Sequence, residues 1–103
     1  MSYMFSGCSS LKELDLKNFN TEKVIDMECM FSKCGSLTKL NLENFDTKNV
    51  IVMKMMFFNC NNLENLKLGE NFNTSKVTDM GLMFSGCYKL SSEITNKFSN
   101  KNE

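Results

Sequence analysis

The chain contains no His, Arg, Pro, Ala, Trp or Gln, so all twelve of its cations are lysines. Each absence removes a chemistry. Without His there is no imidazole base, no Ser-His or Cys-His pair and no histidine metal ligand; without Arg there is no bidentate clamp for phosphate or carboxylate. The twelve lysines are balanced by twelve acidic groups, and no block of five or six like charges occurs. That excludes electrostatic, sequence-independent binding to nucleic acid or to an anionic membrane surface. There is no run of eighteen apolar residues, hence no direct membrane insertion. The opening MSYMFSGCSS lacks the basic and apolar segments of a secretory signal. What remains, 103 residues of which 42% are hydrophobic, suits one globular domain.

What is there is a repeat of 26 residues. Phe5, Phe31, Phe57 and Phe84 share one column, and Cys8, Cys34, Cys60 and Cys87 another. The last step is one residue longer because Gly69 and Glu70 fill a place that Lys17 or Glu43 fills alone. Further columns are Leu11, Leu37, Leu63 and Leu90; Leu14, Leu40 and Leu66; Leu16, Leu42 and Leu68; and Asn18, Asn44 and Asn71. Thr21, Thr47 and Thr74, Val24, Val50 and Val77, and two Met columns complete the unit.

Inside one unit the pattern changes from L-x-L alternation to a spacing of three at Val24, Met27 and Met30. The alternation predicts short strands within 11–16, 37–42 and 63–68, with leucines inward. The wider spacing predicts a helical turn, α or 3₁₀, capped by Thr21, Thr47 and Thr74 or by the Asn20, Asp46 and Asn73 before them. Gly7, Gly35 and Gly86 are the expected helix stops. A strand and one turn cannot bury their own apolar side chains, so the expected fold is an α/β repeat solenoid, with one short parallel strand and one helical turn per coil. The array is expected over residues 1–98, with a degenerate fourth coil and a disordered tail at 99–103.

The Cys column invites a metal or redox reading. Free Cys, however, behaves as a small buried hydrophobe, no C-x-x-C pair exists, and five is an odd number for a disulfide framework. Cys29 stands outside that column, in a row with Tyr3, Met55 and Leu82; if exposed, it is the thiol expected to react, and a nucleophilic enzyme built on it would lack any His or Arg to activate it. The Asn columns read as side chains bonding turn backbone. A calcium site in the row Asn20, Asp46 and Asn73 is disfavoured by its single carboxylate. No catalytic residue, metal or cofactor is expected.

The outward residues of the strands form a grid of Glu13, Asp15 and Lys17, then Lys39, Asn41 and Glu43, then Asn65, Lys67 and Gly69. Stacking puts Glu13 beside Lys39, Lys17 beside Glu43, and Asn41 between Asp15 and Lys67. This face is the candidate interaction surface, although it lacks the aromatic and Arg anchors of binding hot spots.

Units such as MFSGCSSLKELDLKNFNTEKVIDM and MFSKCGSLTKLNLENFDTKNVIVM resemble the BspA-like leucine-rich repeats of bacterial surface proteins and lipoproteins. The resemblance covers residues 1 to about 90 and rests on the recurrence of M-F-x-x-C-x-x-L-x-x-L-x-L and N-F-[ND]-T. It implies a cell-surface or secreted, non-enzymatic adhesion or protein-interaction module, expected to be a fragment of a longer array, whose partner is a host or extracellular-matrix protein or another cell. An intracellular scaffold for a protein partner is the alternative.

Overall fold

The L-x-L alternation becomes strand in two of the three expected places. In the computed structural model, which describes residues 1–98, β1 (Lys39–Leu42) and β2 (Asn65–Leu68) are parallel neighbours. Lys39 lies opposite Asn65, Leu40 opposite Leu66, Asn41 opposite Lys67 and Leu42 opposite Leu68, a register set by the 26-residue repeat. Leu40, Leu42 and Leu66 point into the core and Lys39, Asn41, Asn65 and Lys67 point out, as the pleat requires. Each strand starts two residues later than expected. Residues 11–16 form no strand at all: that segment has a neighbour on one side only, and one long backbone bond, Thr38 N–H to the Lys12 carbonyl at 3.4 Å, ties it to the next copy.

The helical turns do not form. From Met1 to Cys8, and again in each later copy, the chain runs through successive i→i+3 turns, such as Met4 N–H to the Met1 carbonyl and Ser6 N–H to the Tyr3 carbonyl. The intervening N–H groups bond sideways to the next copy. Tyr3, Phe5 and Gly7 donate to the carbonyls of Glu28, Met30 and Ser32; Cys29, Phe31 and Lys33 to those of Lys54, Met56 and Phe58; and Met55, Phe57 and Asn59 to those of Gly81, Met83 and Ser85, at 2.6 to 3.0 Å. An N–H committed sideways is unavailable to a carbonyl four residues back, so no α-helix can propagate.

The geometry is held by left-handed backbone at Tyr3, Cys29, Met55 and Leu82 (φ 60°, 55°, 55° and 57°) and at Gly7, Lys33, Asn59 and Gly86. Gly35 is not among these positive-φ residues; Lys33 holds the position expected of it. At Gly86 a side chain would also collide with Asn59.

The one helix among the described residues, α1 (Ser92–Lys97), lies where the leucine alternation has already been lost, with Glu93 in its first turn and Lys97 in its last, both suited to the helix dipole. None of its residues is buried, but Ile94 within it and Phe98 just after it pack against the core.

The described residues thus form a globule of 31 × 30 × 22 Å with two short parallel strands and one short helix. This corrects the expected α/β repeat solenoid with a helical turn in every coil: the turns replace the helices, one strand is missing, and the helix that does form stands outside the repeated pattern. The tail expected at 99–103 lies outside the described residues.

The core is built from the repeated columns. Phe5, Phe31, Phe57 and Phe84 stack with centroids 5.7, 5.7 and 5.3 Å apart and ring planes within 6° of parallel. Met27, Met30, Met53, Met56, Leu37 and Leu63 around them are fully buried. The Thr column is structural: buried Thr21 donates its hydroxyl to the Asp46 carbonyl at 3.0 Å and accepts the Asp46 N–H at 2.9 Å, and Thr47 does the same with Asn73. These hydroxyls bridge one copy to the next and do not cap helices.

Candidate interaction surface

All eight outward residues expected at the surface are found there, gathered around two adjoining depressions. The first, about 400 Å³, has Leu14 and Leu40 in its floor and Glu13, Lys39, Asn41, Asn65 and Lys67 around it. The second, about 170 Å³, is lined by Asp15, Lys17, Asn41, Glu43 and Asn44 with Leu14 and Leu16. The strands dictate part of this arrangement: in β1 and β2 alternate residues point outward and the parallel register sets those two rows side by side, whereas Glu13, Asp15 and Lys17 come from a segment that is not strand.

The pairing follows the grid in part. Lys39 Nζ lies 3.4 Å from Glu13 Oε1, as expected. Lys17 does not meet Glu43; it turns back toward Asp15 at 3.9 Å, and Glu43 is taken by Lys67 at 3.3 Å. Asn41 fixes Glu43 further, donating Nδ2 to its Oε1 at 3.1 Å and accepting its backbone N–H at 2.9 Å. The Asn41 bond, then Lys67, holds the Glu43 carboxyl below its usual range. The pairs are solvated, so each contributes at most about 0.2 to 1 kcal/mol. They leave a surface with both signs of charge interleaved over an apolar floor.

A third depression, about 470 Å³, continues past β2 and is lined by Glu64, Asn65, Leu66, Lys67, Ser91 and Ile94. Ser91 and Ile94 escaped the sequence reading because the leucine alternation that marks the face has ended there. The only signal was Ile94, an apolar residue between Glu93 and Thr95, which replace the strand leucines.

The Asn and Asp side chains serve the turns. Asn20, Asp46 and Asn73 each accept the backbone N–H two residues on, at 3.2, 3.1 and 2.7 Å. Asn44 donates to the Lys17 carbonyl, as expected of its column. Among the described residues no group of three Cys, Asp or Glu side chains is placed to hold a metal ion.

The column thiols also have structural partners. Cys34, Cys60 and Cys87 donate to the carbonyls of Phe5, Phe31 and Phe57 at 3.2, 3.0 and 2.9 Å. Burial, with Cys8 nearby, pushes the Cys34 thiol up to about 11. A hydrogen bond with Cys87, together with burial, pushes Cys60 up as well. Cys29 is only 5% exposed, so the exposed nucleophile considered for it is not there; Cys8 is the half-buried thiol. Its row is no continuous stripe either, since Tyr3 and Leu82 are exposed while Cys29 between them is covered. Hydrogen bonding to Cys29, the Cys29 charge and then Glu28 push the Tyr3 hydroxyl up to about 12.

Fold and surface together define a small repeat-bearing globule that presents a shallow charged face. The sequence profile of the family described as "Mycoplasma protein of unknown function, DUF285" matches residues 1–102, and the chain belongs to that family. No curated protein and no solved structure matches it. Among the described residues, no helix is long and apolar enough to cross a membrane.

Proposed function

We propose that the chain is a non-enzymatic module that binds a protein partner through the face carrying Glu13, Asp15, Lys17, Lys39, Asn41, Glu43, Asn65 and Lys67. The observation that carries this reading is the coincidence of those residues with adjoining depressions floored by Leu14 and Leu40. An apolar floor under a rim of both charges suits a protein surface of mixed polarity. It suits neither a polyanion nor a lipid. The resemblance to BspA-like repeats makes the partner a host or extracellular-matrix protein and the role adhesion at the cell surface. Weak contacts on one such face gain strength when several copies act together.

The five free thiols favour the intracellular scaffold as the second reading, because exposed compartments favour disulfides. Protease shaving of intact cells separates the two. Release of peptides such as NFNTEK while a cytosolic marker stays inside supports the surface module; release only on lysis overturns it. Binding of the chain to immobilised matrix proteins, lost in a Lys39→Glu, Lys67→Glu double variant, tests the face itself.

A further inference from the structure

The fourth copy leaves the row of strands before it can cover β2. Leu90 keeps the column of Leu37 and Leu63, but Glu93 and Thr95 stand where Leu66 and Leu68 stand in the third copy. A carboxylate at a core leucine position would be buried without a partner, and the chain turns into α1 instead. Residues 90–98 thus pass the place of a further strand and leave it open, so the free edge of β2 is set by Glu93 and Thr95 within the sequence.

The ladder fixes which groups that edge presents. Asn65 donates its N–H to the Thr38 carbonyl at 3.2 Å, so in this parallel pair Asn65 and Lys67 face β1, while Leu66 and Leu68 turn their N–H and C=O groups the other way. The Thr38 carbonyl accepts from Glu64 and Asn65; its counterpart in the next copy, the Glu64 carbonyl, has no donor among the described residues, and nothing beyond β2 bonds Leu66 or Leu68. Beside this edge lies the third depression, about 470 Å³, where Leu66 and Ile94 supply the apolar lining and Glu64, Lys67 and Ser91 the polar one. Lys67 is committed to Glu43 at 3.3 Å, whereas exposed Glu64 makes no ion pair among the described residues.

We propose that the protein partner adds an extended segment to this edge of β2 as a further strand, with apolar residues at alternate positions over Leu66 and Ile94 and a lysine or arginine opposite Glu64. This deepens the reading above and rests on it for the existence of a partner. The Leu66 and Leu68 amides donate to the segment's carbonyls, and the Glu64 and Leu66 carbonyls accept its N–H groups, repeating the joint between β1 and β2. Main-chain bonding supplies the attachment, and the pocket at Ile94 with the charge of Glu64 selects the sequence. The β2 strand of a second copy meets these demands less well. Any antiparallel register that keeps the leucines on the core side sets Asn62, Glu64, Leu66, Leu68 or Glu70 opposite Glu64, and none of these is basic.

The test uses the full chain and a blocked peptide, Thr-Lys-Thr-Leu-Thr-Leu-Thr, in NMR titration and amide hydrogen exchange. At saturation, exchange at Leu66 and Leu68 should slow by about tenfold or more, while Asn65 and Lys67, already bonded to β1, change little. Two forms of the peptide, N-methylated at one or the other set of alternate residues, should differ in affinity by about tenfold or more, because only one set of amides faces β2. Glu64→Lys, an exposed change whose fold calorimetry checks, should weaken the peptide about two- to fivefold. Peptide bound at this edge supports the added strand even where no matrix protein binds the chain. A matrix protein that binds and is lost with Lys39→Glu, Lys67→Glu, while the peptide leaves Leu66 and Leu68 unaltered, overturns it and leaves the face standing. Equal affinity of the two N-methylated forms also overturns it. So does self-association of the chain that the peptide disrupts, which would seat a second copy at this edge.

Discussion

Replacing Phe31 with Ala removes the ring at the centre of the packing. Phe31 is fully buried and stacked on both faces, against Phe5 and Phe57 at 5.7 Å each. Deleting a buried Phe costs about 3 to 5 kcal/mol, and the loss of two stacked neighbours, each worth about 0.5 to 1.5 kcal/mol beyond its area, puts this site at the upper end. A domain of this size has about 5 to 15 kcal/mol in total, so the variant should melt at least roughly 12 °C lower, or fail to fold at ordinary temperature. Phe5 supplies the internal control. It occupies the same column but is half-buried at the end of the stack, so Phe5→Ala should cost about half as much. Calorimetry and urea denaturation of the two variants beside the parent chain give both numbers. Equal costs at the two positions, or a loss below about 1 kcal/mol at Phe31, would refute the argument that the copies are held by this stack.

Three further outcomes follow from burial and close approach. Under native, dilute conditions an alkylating reagent should modify Cys8 first; Cys29 and the column thiols should react only as denaturant opens the chain, as peptide mass spectrometry will show, and early labelling of Cys29 would contradict its burial. The raised Cys34 thiol favours the folded chain while neutral, so its contribution is intact below its ordinary 9.0 and is lost as pH rises toward about 11; Cys34→Ala should make the alkaline fall in melting temperature shallower, leaving the part due to Cys60. Gly69→Ala drives a methyl into the Glu43 carbonyl at the end of β1 and should cost about 1 to 3 kcal/mol of stability, read as a lower urea midpoint at constant slope, whereas an unshifted midpoint would mean that the inserted Gly69-Glu70 step gives way freely.

The sequence made the columns legible because identical residues recur at one spacing, and a residue repeated that strictly on an apolar position is buried whatever backbone carries it. Phe31, Phe57, Leu37, Leu63 and the paired methionines bear this out. The backbone was less legible. A spacing of three at Val24, Met27 and Met30 fits a helical turn, but it fits a run of i→i+3 turns equally well, and the choice depends on where the intervening N–H groups go. That is a contact between residues 25 apart, such as Tyr3 with Glu28, and no local propensity reports it. The left-handed residues offered one usable signal. Gly7 and Gly86 share a column with Lys33 and Asn59, one place before Cys, so reading the column as a whole would have placed the positive φ there and not at Gly35.

At the surface, alternation decided which residues point outward, and the repeat decided which rows adjoin. Lys39, Asn41, Asn65 and Lys67 lie outward on β1 and β2 by that rule, while Glu13, Asp15, Lys17 and Glu43 are exposed beside them outside the strands. The partners of the charged groups are decided by something else. A lysine on a four-carbon stem reaches more than one carboxylate, and at the surface the alternatives differ by a fraction of the roughly 0.2 to 1 kcal/mol that any one pair supplies. Glu43 is therefore claimed by whichever groups hold it at more than one point. Asn41 binds both its side chain and its backbone while Lys67 reaches it from β2, and Lys17 turns to Asp15, whose carboxylate also accepts its backbone N–H at 3.1 Å. Under the proposed binding, the Lys17 ammonium, 3.9 Å from Asp15, is the charge most easily re-paired on this face. Lys67 and Glu43 are already committed to each other and must be displaced together.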